Sequence, residues 1–122
     1  MTYCVALRLD TGMIFASDSR TNAGVDHIAT FTKMRVYEKK DERVIVVLSS
    51  GNLAMTQGVT NILDRPPEGA EARHAIWGGV SMYDAASLVG DALREMQRRD
   101  GPFLQQSSIE ASANLIVGGQ IG

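Results

Sequence analysis

The sequence is sparing with several residue types that a folded chain can use, holding one cysteine, three prolines and two histidines among 122 residues. A single thiol, Cys4, cannot close an internal disulfide, which suits a reducing compartment and leaves Cys4 the role of a small buried hydrophobe. His27 and His74 have no Cys/His companions at metal-ligand spacing, so no metal site is expected. Gly78-Gly79 and Gly118-Gly119 do not follow a phosphate-loop pattern, and no cofactor is expected. The net charge is −2 and no Lys/Arg run exceeds a pair, which gives no broad positive field for nucleic acid. The longest apolar runs, such as Val44 to Leu48, fall far short of the roughly 20 residues of a membrane-spanning helix. Arg8 and Asp10 interrupt the first ten residues, which carry no basic stretch, so a cleaved secretion signal is not indicated and the cytoplasm is the expected location.

What is present reads as one domain spanning residues 1–122. Tyr3, Val5, Leu7 and Leu9 alternate onto one face, Asp10-Thr11-Gly12 supplies a turn, and Met13 to Ala16 returns as a second strand. An irregular polar segment is expected from Ser19 to about Thr32. Met34 and Val36 then alternate, Lys39 to Glu42 makes a charged turn, and Val44 to Leu48 reads as a buried strand. Leu53, Ala54, Val59, Ile62 and Leu63 suit a helix with Ser49 or Ser50 available as its N-cap and Pro66-Pro67 as its end. The stretch from Arg65 to Gly79 reads as a loop. Ser81-Met82-Tyr83-Asp84 matches a capping box, opening a helix that Gly101-Pro102 is expected to stop, and Ala113 to Val117 reads as a last strand before Gly118. Strands followed by helices argue for an α+β fold, an antiparallel sheet with helices on one face. The sequence stops two or three residues past a strand, which is expected of a cut end.

Four residues suggest chemistry. Removal of Met1 would give Thr2 a free α-amine, and an amine with an ordinary pKa near 7.7–8.0 can act as general base on that residue's own hydroxyl. A hairpin would bring Asp18, at the end of the second strand, back beside the start of the first. Lys33 opens the third strand; a cation near the threonine would favour loss of the hydroxyl proton and hold down the amine's pKa, with Asp18 holding the lysine. Gly51, between a buried strand and a helix, stands where free backbone N–H groups can receive an oxyanion. Each has a plainer role open to it: Thr2 as one of the small residues frequent at position 2, Asp18 as a strand-end cap, Lys33 as an exposed edge charge, Gly51 as a turn residue.

These residues lie in stretches that resemble the proteasome-type N-terminal nucleophile hydrolases, and within them the bacterial Anbu branch. The resemblance rests on "MTYCVALRLDTGMIFASDSRTNAG", on Lys33 in "FTKMRVYE", on "VIVVLSSGNLAMTQ" and on "NLIVGGQIG", and covers essentially the whole chain. It implies a four-layer αββα sandwich of antiparallel sheets with helices outside, of which this chain would be the N-terminal half. It implies Thr2 as nucleophile and base, Asp18 and Lys33 as the supporting pair, Gly51 as oxyanion donor, and Thr21, Asn22 and Ala23 lining a groove for an extended peptide. The activity implied is amide hydrolysis through an acyl-enzyme on the threonine oxygen, in subunits assembled as rings or ring-like spirals. One departure is Met55, where such chains usually carry an acidic residue. Two other readings stand beside the hydrolase: a non-catalytic assembly subunit, and a small α+β adaptor binding through an open sheet face.

Overall fold

A computed structural model describes residues 3–18, 20–22, 28–30, 33–65, 76–106 and 113–122. The chain opens with the expected hairpin: β1 (Cys4–Leu9) pairs antiparallel with β2 (Gly12–Ser17), Leu9 opposite Gly12, so that Asp10 and Thr11 form a two-residue turn. The pairing puts Val5, Leu7 and Ile14 on one face and Met13 and Phe15 on the other. Two short strands follow, β3 (Arg20–Asn22) and β4 (Ile28–Thr30), paired antiparallel within the segment expected to be irregular. Three residues are too few for a period-of-two pattern to show, although Thr21, Ile28 and Thr30 are β-branched and favour extended backbone.

The central sheet has the order β5-β6-β7, all antiparallel, with β5 (Met34–Lys39), β6 (Arg43–Gly51) and β7 (Ala113–Ile121). The β5–β6 turn passes through Asp41 at φ 62, a left-handed conformation that Asp adopts more readily than most residues, and Glu42 N–H donates to Lys39 O at 3.0 Å. β7 runs four residues beyond its expected end at Val117. All nine residues of β6 find a partner on it, from Arg43 opposite Ile121 to Gly51 opposite Ala113. Gly118 and Gly119 do not end the strand because each allows a close approach: a Cβ on Gly118 would lie 2.6 Å from the Phe15 ring, and one on Gly119 would lie 1.9 Å from Val44 O.

Two helices cover one face of this sheet. α1 (Leu53–Asp64) is capped by Asn52, whose side-chain oxygen accepts from Met55 N–H at 3.1 Å. The expected serine caps are corrected here, since Ser49 and Ser50 still belong to the β6–β7 ladder opposite Leu115 and Asn114. α2 (Met82–Gln106) begins as expected: Ser81 Oγ accepts from Asp84 N–H at 3.2 Å, while the Asp84 carboxylate accepts from Val80 N–H at 3.0 Å. It does not stop at Gly101-Pro102. Pro102 lacks one N–H, but elongation of an already nucleated helix is cooperative, and the last turn carries on past it. Tyr37, Ile45 and Val47 from the sheet meet Met55, Val59 and Val89 from the helices in a buried core. Tyr37 Oη donates to Asp64 at 2.8 Å, and Arg35 bonds the other oxygen of the same carboxylate at 2.8 Å, fastening β5 to the end of α1. On the other face of the sheet Val46 and Leu48 are also buried, and Phe15 of the hairpin reaches Gly118. The layers are therefore helices, sheet and hairpin, an α+β arrangement in which Leu7 and Ile14 remain half exposed on the hairpin's outer face. Among the described residues no helix is long and apolar enough to cross a membrane.

Candidate active site

The hairpin returns Asp18 to the beginning of β1, where it meets the residue after Thr2. Tyr3 N–H donates to Asp18 Oδ1 at 2.9 Å, and Asp18 N–H donates back to Tyr3 O at 3.1 Å. The second carboxylate oxygen, Oδ2, accepts from Lys33 Nζ at 2.9 Å. One carboxylate thus joins the start of the first strand to the lysine. The Lys33 bond, followed by the Tyr3 N–H, holds the Asp18 carboxyl below the usual carboxylate range. Lys33 is not the exposed edge charge that its sequence position also allowed: it is 3% exposed, and a lysine that deep needs its charge met.

The backbone of Lys33 is held from β6. Ser49 N–H donates to Lys33 O at 2.9 Å, continuing the β5–β6 ladder by one pair, and Ser49 Oγ lies 3.4 Å from the same oxygen. Cys4 Sγ in turn lies 3.7 Å from Ser49 O. Burial pushes the Cys4 thiol up from its ordinary value, the negative charge of Asp18 adds to this, and Lys33 opposes it. Gly51 follows two residues after Ser49, about 7 Å further along the strand. It has φ 108, a left-handed conformation that glycine adopts at no steric cost, and it leads into the Asn52 cap of α1.

The structure therefore brings Asp18 and Lys33 into direct contact and puts Gly51 on the strand that holds the lysine. Thr21 and Asn22 lie in β3, opposite Ala29 and Ile28. Thr2 and Ala23 lie outside the described residues. Two participants were not singled out as site residues from sequence: Ser49, whose place beside the glycine suggested only a helix cap, and Cys4, assigned to packing alone. Their signal is spatial, since Cys4 and Ser49 are 45 positions apart. Among the described residues no group of three or more His, Cys, Asp or Glu side chains could hold a metal ion.

No protein-family model and no curated protein matches the chain. Solved structures do. A helical assembly of the Anbu complex from Pseudomonas aeruginosa is 42% identical, with a TM-score of 0.85 over 100% of this chain and 49% of that one. Anbu, the ancestral beta-subunit, from Yersinia bercovieri is 44% identical at a TM-score of 0.80, over 99% of this chain and 48% of the relative. Anbu from Hyphomicrobium sp. strain MC1 is 40% identical at a TM-score of 0.76, with the same shares of 99% and 48%. The chain thus spans about half the length of the solved chains it matches. The similarity takes in the hairpin, the sheet and both helices together, and on it the chain belongs to the Anbu proteasome-like family, corresponding to roughly the N-terminal half of those relatives.

Proposed function

We propose that the protein to which this half belongs is a threonine-type amide hydrolase, a peptidase in which Thr2, freed by removal of Met1, is both nucleophile and base. The carrying observation is the carboxylate of Asp18, which bonds Tyr3 N–H through one oxygen and Lys33 Nζ through the other, both at 2.9 Å. That N–H belongs to the peptide bond that Thr2 itself forms, so whatever fixes Tyr3 constrains the residue before it.

In this proposal the Thr2 hydroxyl attacks an amide carbon while its proton passes to the α-amine. The tetrahedral oxyanion is received by the Gly51 N–H, and the protonated amine then gives the proton to the departing nitrogen. The acyl group, left as an ester on Thr2, is hydrolysed by water with the amine again as base. Lys33 keeps the amine neutral by repulsion and favours the incipient alkoxide by attraction. The substrate is a peptide or another amide, and an extended chain would lie along Thr21, Asn22 and Ala23. The subunits work as a cytoplasmic homo-oligomer, a ring or ring-like spiral, a reading supported by the helical assembly of the Pseudomonas aeruginosa relative.

The test is an intact mass of the protein expressed from its natural full-length gene, together with turnover by the Thr2→Ala variant. A mass short by one methionine and loss of turnover with the assembly intact are expected. Retention of Met1, which would leave Thr2 an amide nitrogen in place of an amine, would sink the mechanism, as would full turnover by the alanine variant.

A further inference from the structure

We infer that Ser49 is the positioning residue of this site, holding Lys33 where its charge acts on the N-terminal threonine; this rests on the proposed function of Thr2. Ser49 joins the lysine to the first strand. Its N–H lies 2.9 Å and its hydroxyl 3.4 Å from the Lys33 carbonyl oxygen, and its own carbonyl accepts from the Cys4 thiol at 3.7 Å. One residue of β6 therefore holds the backbone beneath the lysine and the strand that carries the N-terminal residue, two positions before Gly51.

A carbonyl oxygen has two lone pairs. The ladder bond from Ser49 N–H uses one, as any residue there would, and leaves the Lys33 peptide able to rock about it. The hydroxyl takes the second and limits that rocking. The consequence is amplified along the side chain: where the backbone shift tilts the Lys33 Cα–Cβ bond by about 10°, the end of the four-carbon stem moves by roughly 1 Å. Errors of that size at a reacting centre can cost about 10²-fold in rate. Among the described residues that face Lys33 are the Asp18 carboxylate from the end of β2 and the Cys4 thiol from β1, and β6 meets it with the neutral Ser49 hydroxyl. Loss of that hydroxyl therefore changes no charge. It acts through the place of the lysine.

The experiment measures the pKa of the N-terminal amine in the full-length, methionine-processed protein, by competitive acylation with trace acetic anhydride across pH and mass analysis of the N-terminal peptide. A cation that drifts away depresses the amine less, so Ser49→Ala should raise its pKa by about 0.3–0.5, lowering its reactivity two- to threefold on the acid side of the titration. Ser49→Thr, which restores the hydroxyl, should return the parent value. Ser50→Ala, whose side chain alternates to the other face of the strand, should leave it unchanged. Lys33→Met separates the two claims. If Lys33→Met moves the amine pKa and Ser49→Ala does not, the role of Ser49 is overturned while the threonine mechanism stands; if neither moves it, the lysine does not act on the threonine and both fall. A Ser49→Ala protein that unfolds is replaced by the Ser49→Thr against Ser49→Cys comparison, in which equal amine pKa values would overturn the proposal.

Discussion

Gly119→Ala tests whether the register of β7 depends on one glycine. The residue sits at φ 145 opposite Ile45, and an added Cβ would lie 1.9 Å from Val44 O and 3.0 Å from Ile45 Cα. Three costs follow. Alanine at that φ is strained by about 1–3 kcal/mol. The overlap is with backbone atoms of the central strand, so it cannot be relieved by turning a side chain, and β7 must lift. Lifting it breaks one or two ladder hydrogen bonds at about 0.5–1.5 kcal/mol each. Together these give about 1.5–6 kcal/mol, a sizeable part of the roughly 5–15 kcal/mol of a typical domain. At about 4 °C per kcal/mol for a chain of this size, the melting temperature should fall by about 6–24 °C. Gly58→Ala is the internal control: its Cβ would meet the Met96 terminal methyl at 2.2 Å, the far end of a flexible side chain, and the cost should stay near 1 kcal/mol or below. Denaturant unfolding of both variants measures the difference. If Gly119→Ala costs less than 1 kcal/mol, or no more than Gly58→Ala, the β6–β7 pairing does not depend on that close approach. The result bears on the site, because the same nine-residue register puts Ala113 opposite Gly51.

Two further predictions concern protons. Tyr37, buried and bonded to Asp64, has its phenol pushed up to about 12, so its 295-nm absorbance should grow in only near that pH or with unfolding. Because the folded value is raised, the associated stability is complete below the unfolded value near 10 and lost as the pH rises toward 12; Tyr37→Phe should abolish that absorbance step, and a step retained in the variant would assign it to another tyrosine. Asp18 has the opposite sign: its carboxyl is held low by Lys33 and Tyr3, so its contribution is present above the ordinary carboxylate range and lost as the pH falls through the folded value. The melting-temperature difference between parent and Asp18→Asn should therefore be constant above pH 5 and shrink in stronger acid, whereas a difference independent of pH would refute the ion pair as its source.

The parts of this molecule that were legible in its sequence are those whose cause is local. Alternation from Tyr3 to Leu9 with Asp10-Thr11 behind it is enough to specify a hairpin, and a hairpin of that length returns Asp18 to the first strand whatever surrounds it. The capping box at Ser81 is equally local, since its bonds span three and four residues. The failures share a different cause. Ser49 looked like a helix cap because the sequence does not show that β7 would extend the sheet far enough to keep it in the ladder. Gly118-Gly119 looked like an end because the sequence does not show that Phe15 and Val44 would close on them. Both errors come from one strand, β7, whose partner β6 lies more than sixty positions earlier. The site shows the same division: Asp18 and Lys33 were nameable from sequence because each has a charge, whereas the Lys33 backbone is met by the N–H and the neutral hydroxyl of Ser49, from another strand. A charged pair can be recognised by residue type alone, but the neutral contacts that aim it become visible only once the strands are assembled.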